Sequence, residues 1–343
     1  MLDRTTRIAV AGAGSIGCHA GGCLALAGRR VTLLARQPLA EAIGRDGLTI
    51  VDLDGSERKL APSAIDAAVD PAVAFNDAGL VLVTVKSGDT AEMAGLIARH
   101  ARPDATVVSL QNGAANAARL RQHLPATQRV VAGMVSFNVI QDRSADGAPV
   151  FRRTTGGEVL VEAGVPGLVE LLNVDGLPVE SAADMTAVLW GKLILNLTNA
   201  INALSGLPLV EYLSDRRWRL VLAAQIEEAL AAMRAAGINP AKVGALRPAF
   251  LPYLLRLPDF LFRIIARRML TVDPKAKPST LQDLERGRKT ETDEFQGAIV
   301  RLSEQVGTAA PLSRLVLRRI RAAEQAGKGS PRLAPDDFKL PAS

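Results

Sequence analysis

Aromatic residues are scarce in this chain. Phe, Tyr and Trp together make up 3% of its 343 residues. That scarcity argues against the stacking platforms used to hold single-stranded nucleic acid, and it leaves the core to Leu, Val, Ile and Ala. Cysteine is scarcer still: Cys18 and Cys23 are the two in the chain, both in the opening segment. They make neither a disulfide framework nor a zinc spacing. The three histidines, His19, His100 and His123, are scattered, so no metal site is expected. The default compartment for so little cysteine is a reducing cytoplasm. No apolar run is long enough to span a bilayer, so no membrane partner is expected. The opening "MLDRTTR" lacks the small-residue cleavage site of a signal peptide.

What is present is a globular composition, 48% hydrophobic, with length for two ordinary domains. The net charge is +6 and the pI is near 9.6. The arginines are spread along the chain rather than gathered into a basic arm. A basic surface with anionic small ligands therefore accounts for the charge better than nucleic acid does.

Two periods divide the chain. In the first half "RIAVAG" (7–12), "RVTLLAR" (30–36), "LVLVTVK" (80–86) and "TVVSLQN" (106–112) are β-branched and almost wholly apolar. That is the pattern of parallel strands covered on both faces. Helix formers such as "DTAEMAGLIARHA" (89–101) lie between them, which implies right-handed βαβ units. "RVVAGMVSFNVI" and "GEVLVEAG" add further strands before about residue 182. After Asp184 the spacing becomes helical, in "DMTAVLWGKLILNLTNAINALSG" and "WRLVLAAQIEEALAAMRAAG". "STLQDLERGRKTETDEFQGAIVRLSEQVG" predicts another long helix, and the prolines of "RPAFLPYLLRLPDFLFRIIARRML" (247–270) predict a pair of short ones rather than a membrane-surface helix. The expected fold is α/β: a Rossmann-type doubly wound parallel sheet over 1–182, an all-helical domain over 183–326, and a loose Gly/Pro-rich tail over 327–343.

"GAGSIG", residues 12–17, follows a strand and opens a helix, which is the context that makes Gly-x-Gly-x-x-Gly informative. Gly12 permits the tight turn. Gly14 lets the backbone approach a pyrophosphate, and Gly17 lets the helix pack on the sheet. Anions are favoured at such a helix N-terminus. Arg36 ends the second strand, where an acid would bind the ribose 2′-hydroxyl of NAD. A guanidinium there favours the 2′-phosphate of NADP; the alternative is a solvated arginine.

In the second half, Lys192 and Asn196 share one face of an otherwise apolar helix. A lysine among Trp190, Leu193 and Ile194 is costly to bury, so it serves either as a general acid for a carbonyl oxygen or as a snorkelling core lysine. Burial should lower its pKa, and a nearby Glu291 should raise it again. Ser279 and Gln282 have capping-box spacing. The same helix start suits a substrate carboxylate, and Glu291 and Asp293 follow on that helix, where a solvated face explains them equally well.

Together "GAGSIG" (12–17), "VTVKSGDT" (83–90), "SLQNG" (109–113), "WGKLILN" (190–196) and "KPSTLQDLERGRKTETD" (277–293) resemble the ketopantoate reductase family over nearly the whole chain. The resemblance implies NADPH-dependent reduction of 2-dehydropantoate to pantoate, with the active site in a cleft between the two domains. It implies that Gly12, Ala13, Gly14, Ser15, Ile16, Gly17 and Arg36 bind the cofactor. Lys86 and Asn112 then lie near the nicotinamide ribose, with Asn112 also near the substrate. Lys192 is the acid, Asn196 and Ser279 hold the substrate, and Glu291 lies near the cofactor ribose and the lysine. The implied partner is a small 2-oxo acid, with a homodimer as the candidate assembly. One departure stands out. The family's best-known members carry a second asparagine eight residues after the lysine, where this chain has Ala200 and places Asn199 one residue earlier. At about 100° per residue, seven residues return to within about 20° of Lys192, so Asn199 is expected to share its face. A relative acting on another 2-oxo acid, or a β-hydroxyacid dehydrogenase, is the alternative.

Overall fold

The apolar runs of the first half form strands because both faces are covered. Ile8–Ala11 (β1), Leu80–Val83 (β6) and Thr106–Ser109 (β7) are buried at every position. The computed structural model describes residues 2–145, 147–242, 246–265 and 278–339. Two compact units divide the chain, Met1–Met185 and Thr186–Ser343.

The other strands of the first unit are Val31–Leu34 (β2), Leu48–Val51 (β3), Glu57–Leu60 (β4), Asp66–Ala68 (β5), Arg129–Val135 (β8), Val139–Arg143 (β9), Pro149–Arg153 (β10), Val159–Glu162 (β11) and Val179–Ala182 (β12). Eight of these twelve described strands form one sheet in the order β5-β2-β1-β6-β7-β8-β11-β12. Every neighbouring pair from β5 to β8 is parallel. β11 then joins β8 antiparallel, and β12 joins β11 parallel. The expected parallel sheet is there, extended by one antiparallel step. Because β1 lies between β2 and β6, the winding direction reverses at β1, and ligands in such sheets bind outside the carboxyl ends at that reversal.

A second sheet, β4-β3-β10-β9, was not expected from the sequence. It covers the far side of the helix Ser15–Leu26. A Cβ on Gly21 would meet Leu33 of the large sheet at 2.6 Å, and one on Gly22 would meet Ile50 of the small sheet at 2.6 Å. This helix is covered on two sides, which is why it is small and apolar nearly all round and why Cys18, His19 and Cys23 are buried in it.

The second unit is helical over its described residues. Met185–Ser205, Arg216–Ala235, Thr292–Val306 and Pro311–Ala326 enclose a core that includes Leu197, Ile201, Trp218, Ile226, Phe295 and Ile299. Two short helices, Leu251–Arg256 and Asp259–Ile265, occupy the proline-broken stretch as expected; residues 266–270 lie outside the described residues. Two expectations need correction. The long helix over 279–307 is two helices, Ser279–Glu285 and Thr292–Val306, because Gly287 adopts φ +62° and ends the first with a left-handed turn. The tail expected to be loose is docked over its described part. The Leu333 amide donates to the Leu204 carbonyl at 2.9 Å, and Phe338 is buried edge-on against Trp218, ring centroids 5.5 Å apart. Among the described residues no helix is long and apolar enough to cross a membrane.

Candidate active site

The parallel register brings the carboxyl ends of β1, β2 and β6 level, with Ala11 opposite both Leu34 and Val83. Gly12, Arg36, Lys86 and Asn112 follow the carboxyl ends of β1, β2, β6 and β7, all along one edge of the sheet. The Ala13 amide donates to the Leu34 carbonyl at 3.0 Å, and Thr84 donates to the Ala11 carbonyl at 2.9 Å.

The three glycines differ in what limits them. Gly12 has φ +112°, and a Cβ there would come within 2.7 Å of Val85 Cγ1. On Gly17 a Cβ would fall 2.2 Å from the Gly12 carbonyl oxygen and 2.6 Å from Thr84 Oγ1. Gly14 has an ordinary φ of −83° and nothing within 4 Å of its missing Cβ. Space is left at the helix mouth. The mouth has no side-chain cap and no acid in the first turn, so the amides of Ser15, Ile16 and Gly17 have no side-chain acceptor there. That arrangement fits a pyrophosphate. Arg36 precedes the helix Gln37–Asp46; its side chain is exposed and has no hydrogen-bond or ion-pair partner among the described residues. A free guanidinium on this edge fits a phosphate.

Lys86 and Asn112 are exposed at the tips of the loops after β6 and β7. Beneath them lies a buried polar cluster that sequence reasoning passed over: Ser87, Thr90, Ser109, Gln111 and Asn116, each 6% exposed or less. The signal was present. "VTVKSGDT" and "SLQNG" place small hydroxyl and amide residues next to all-apolar strands, where only mutual hydrogen bonds make burial tolerable.

In the second unit the helix Met185–Ser205 buries Leu193, Ile194, Leu197, Ala200, Ile201 and Leu204. Its half-exposed stripe carries Lys192, Leu195, Asn196 and Asn199, the i, i+3, i+4, i+7 positions of one face. Ala200 is 1% exposed and belongs to the core. The asparagine at 199 therefore lies on the lysine's face, and the residue at 200 does not. Lys192, Asn196 and Asn199 have no hydrogen-bond or ion-pair partner among the described residues. Burial pushes the Lys192 ammonium below its ordinary pKa, and burial is the sole cause. The expected counter-effect of Glu291 is absent. Glu291 is not on the helix of Ser279 but holds the cap position before Thr292–Val306, without a side-chain cap bond, and the Gly287 turn separates it from Ser279.

Ser279 is also corrected. Pro278 holds the cap position of Ser279–Glu285, and Ser279 is the first helical residue, with no side-chain cap bond. Its hydroxyl is exposed and has no partner among the described residues.

A glycine turn at the reversal point of a parallel sheet, followed by a helical unit whose lysine–asparagine stripe is unpaired among the described residues, fits a class: the dinucleotide-dependent reductases with a separate helical domain. Residues 8–161 match the family model "Ketopantoate reductase PanE/ApbA", and residues 184–324 match "Ketopantoate reductase PanE/ApbA C terminal". The chain belongs to the ketopantoate reductase PanE/ApbA family. It is 31% identical over 335 residues to a curated 2-dehydropantoate 2-reductase of Halobacterium salinarum, covering 94% of this chain and 100% of that protein. The crystal structure of a PanE/ApbA family ketopantoate reductase from Ralstonia eutropha matches with TM-score 0.79 and 31% identity, over 94% of this chain and 100% of that one. A ternary structure of D-mandelate dehydrogenase with NADH and anilino(oxo)acetate shares the fold, with TM-score 0.73 at 20% identity, covering 94% and 99% of the two chains.

Proposed function

We propose that this chain reduces 2-dehydropantoate to pantoate with NADPH, on the route to pantothenate and coenzyme A, in the cytoplasm. The observation that carries the reading is the Lys192–Asn196–Asn199 stripe. A half-buried lysine with no protein partner costs stability, and a reductase of carbonyl compounds gives it a task. The cofactor, when bound, supplies hydride to the carbonyl carbon. Lys192 Nζ then delivers a proton to the carbonyl oxygen, which leaves an alcohol and a neutral amine that solvent reprotonates. Its depressed pKa makes it a stronger donor than an exposed lysine. The amides of Asn196 and Asn199 and the free hydroxyl of Ser279 orient the 2-oxo acid.

The turn Gly12, Ala13, Gly14, Ser15, Ile16 and Gly17 holds the pyrophosphate, and Arg36 holds the 2′-phosphate. Lys86 and Asn112 serve the nicotinamide ribose. Glu291, at the cap position of its own helix, reaches the site through the cofactor ribose. A second copy of the chain is the candidate partner. A second reading, reduction of a different 2-oxo acid, is favoured by one observation: the asparagine at 199 in place of 200 changes the reach of the amide.

A panel of 2-oxo acids assayed with purified protein, by loss of reduced-nicotinamide absorbance, separates the two. 2-Dehydropantoate is expected to give the highest kcat/KM, and a different acid giving it would establish the second reading. NADPH is expected to be preferred over NADH, and Arg36→Asp to remove at least about tenfold of that preference, as the loss of a charge-assisted phosphate contact predicts. Equal use of NADH by the wild type would overturn the assignment of Arg36.

A further inference from the structure

The loops that carry Lys86 and Asn112 leave adjacent parallel strands, with Val83 of β6 opposite Ser109 of β7. They are tied to each other beneath the surface. Gln111 Nε2 donates to the Val85 carbonyl at 3.0 Å and to Thr90 Oγ1 at 2.8 Å. Its Oε1 accepts from Ser109 Oγ at 3.1 Å. Asn116 Nδ2 donates to Ser87 Oγ at 2.8 Å and to the Asn112 carbonyl at 2.5 Å. Ser87 Oγ in turn donates to the Asn112 carbonyl at 3.3 Å. Both amide groups thus use both of their hydrogens, and they hold the Val85 carbonyl and the Ser87 hydroxyl on either side of Lys86, and the Asn112 carbonyl itself.

This construction is more elaborate than the fold requires. Apolar residues would fill the same space without five buried polar side chains to satisfy. Asn116 stands in the first turn of the helix Asn116–His123, whose cap residue Ala115 makes no side-chain bond. Its amide bonds Ser87 of the other loop and the Asn112 carbonyl of its own instead of serving the helix end. The gripped loop also bears on the phosphate turn, since Val85 is the residue a Cβ on Gly12 would strike.

We propose that Gln111 and Asn116 are positioning residues that lock the two loops into one body and so hold Lys86 and Asn112 in register for the nicotinamide end of the dinucleotide. The proposal rests on the roles given to Lys86 and Asn112 above, and its test separates the two. Asn116→Asp keeps the volume of the side chain and replaces both donors with an acceptor. Amide hydrogen exchange on the full chain without nucleotide is expected to speed up by roughly tenfold or more in residues 84–90 and 110–116 together, with β1 and β6 unchanged. Exchange that rises in one loop only, or in neither, would overturn the coupling. If Asn116→Asp does not fold, Ser87→Ala, which removes one shared hydroxyl, carries the same expectation.

A double-mutant cycle follows, read both as kcat and as the NADPH dissociation constant. Asn116→Asp is expected to lower kcat about tenfold in the wild type, but less than about twofold when Lys86 and Asn112 are both already alanine, because the latch acts through them. Equal losses in both backgrounds would overturn the positioning role. If the wild type reduces no 2-oxo acid, the catalytic reading fails, and the exchange and NADPH-binding arms still decide the latch.

Discussion

Lys192 is a liability to the folded protein, which makes its role measurable on two axes. Its ammonium is half-buried with no partner among the described residues, and burial depresses its pKa. The protonated form is therefore disfavoured by folding. The cost is present at neutral pH and is relieved as pH rises through the depressed pKa. Lys192→Met keeps the length and removes the charge. It should lower kcat by roughly a hundredfold to ten-thousandfold, the range for a general acid, while Tm at pH 7 rises or holds. Wild-type turnover should fall on the alkaline side at a pH below that expected for an exposed lysine, because the ammonium is the required form. A lower Tm with unchanged kcat would make Lys192 a core residue. The half-burial of Lys192 was legible in the sequence because a charge stood there among apolar residues. Ser279 was not, because which residue caps a helix depends on one backbone angle, and Pro278 supplies the extended conformation one residue earlier.

The strand–turn–helix element that opens the chain separates folding from binding glycine by glycine. Gly14→Ala meets nothing within 4 Å and has a permissive backbone, so Tm should stay within a few degrees of wild type while NADPH affinity falls roughly tenfold or more, measured by fluorescence titration. Gly17→Ala drives a methyl into the Gly12 carbonyl and should unfold or aggregate the protein. Equal effects of the two would contradict the turn's assignment. In the second unit the helix Pro311–Ala326 has Ala310 at its cap, which offers no side-chain bond. Glu228 supplies the missing acceptors from the neighbouring helix, at 2.7 Å from the Leu312 amide and 2.8 Å from the Ser313 amide and hydroxyl. Glu228→Ala should cost about 1.5–3 kcal/mol in chemical denaturation, the range for hydrogen bonds to a charged group. A loss within experimental error would show the helix end to be satisfied by water. Helix periodicity announced the helix that carries Glu228 but not the contact, since a cap delivered from another helix leaves no local pattern.

The change from strand to helix spacing near residue 184 made the two-unit plan of the molecule legible from sequence. The small second sheet was not legible: Glu57–Leu60 and Val139–Arg143 are short, charged and mostly exposed, so they carry none of the apolar signal that marked the parallel strands. The tail was misread for a related reason. Its composition is that of a loose segment, and one aromatic residue, Phe338, ties it down on Trp218. In the proposed function the whole molecule moves hydride from NADPH to the keto carbon of 2-dehydropantoate. The direct measurement is an incubation of the full chain with 2-dehydropantoate and NADPH deuterated at C4 on the transferred face, with the product examined by mass spectrometry. The expected product is pantoate carrying one deuterium on its C2 carbon, in an amount equal to the NADPH consumed, with almost none from Lys192→Met in the same time. No pantoate, or pantoate without the deuterium, would contradict it.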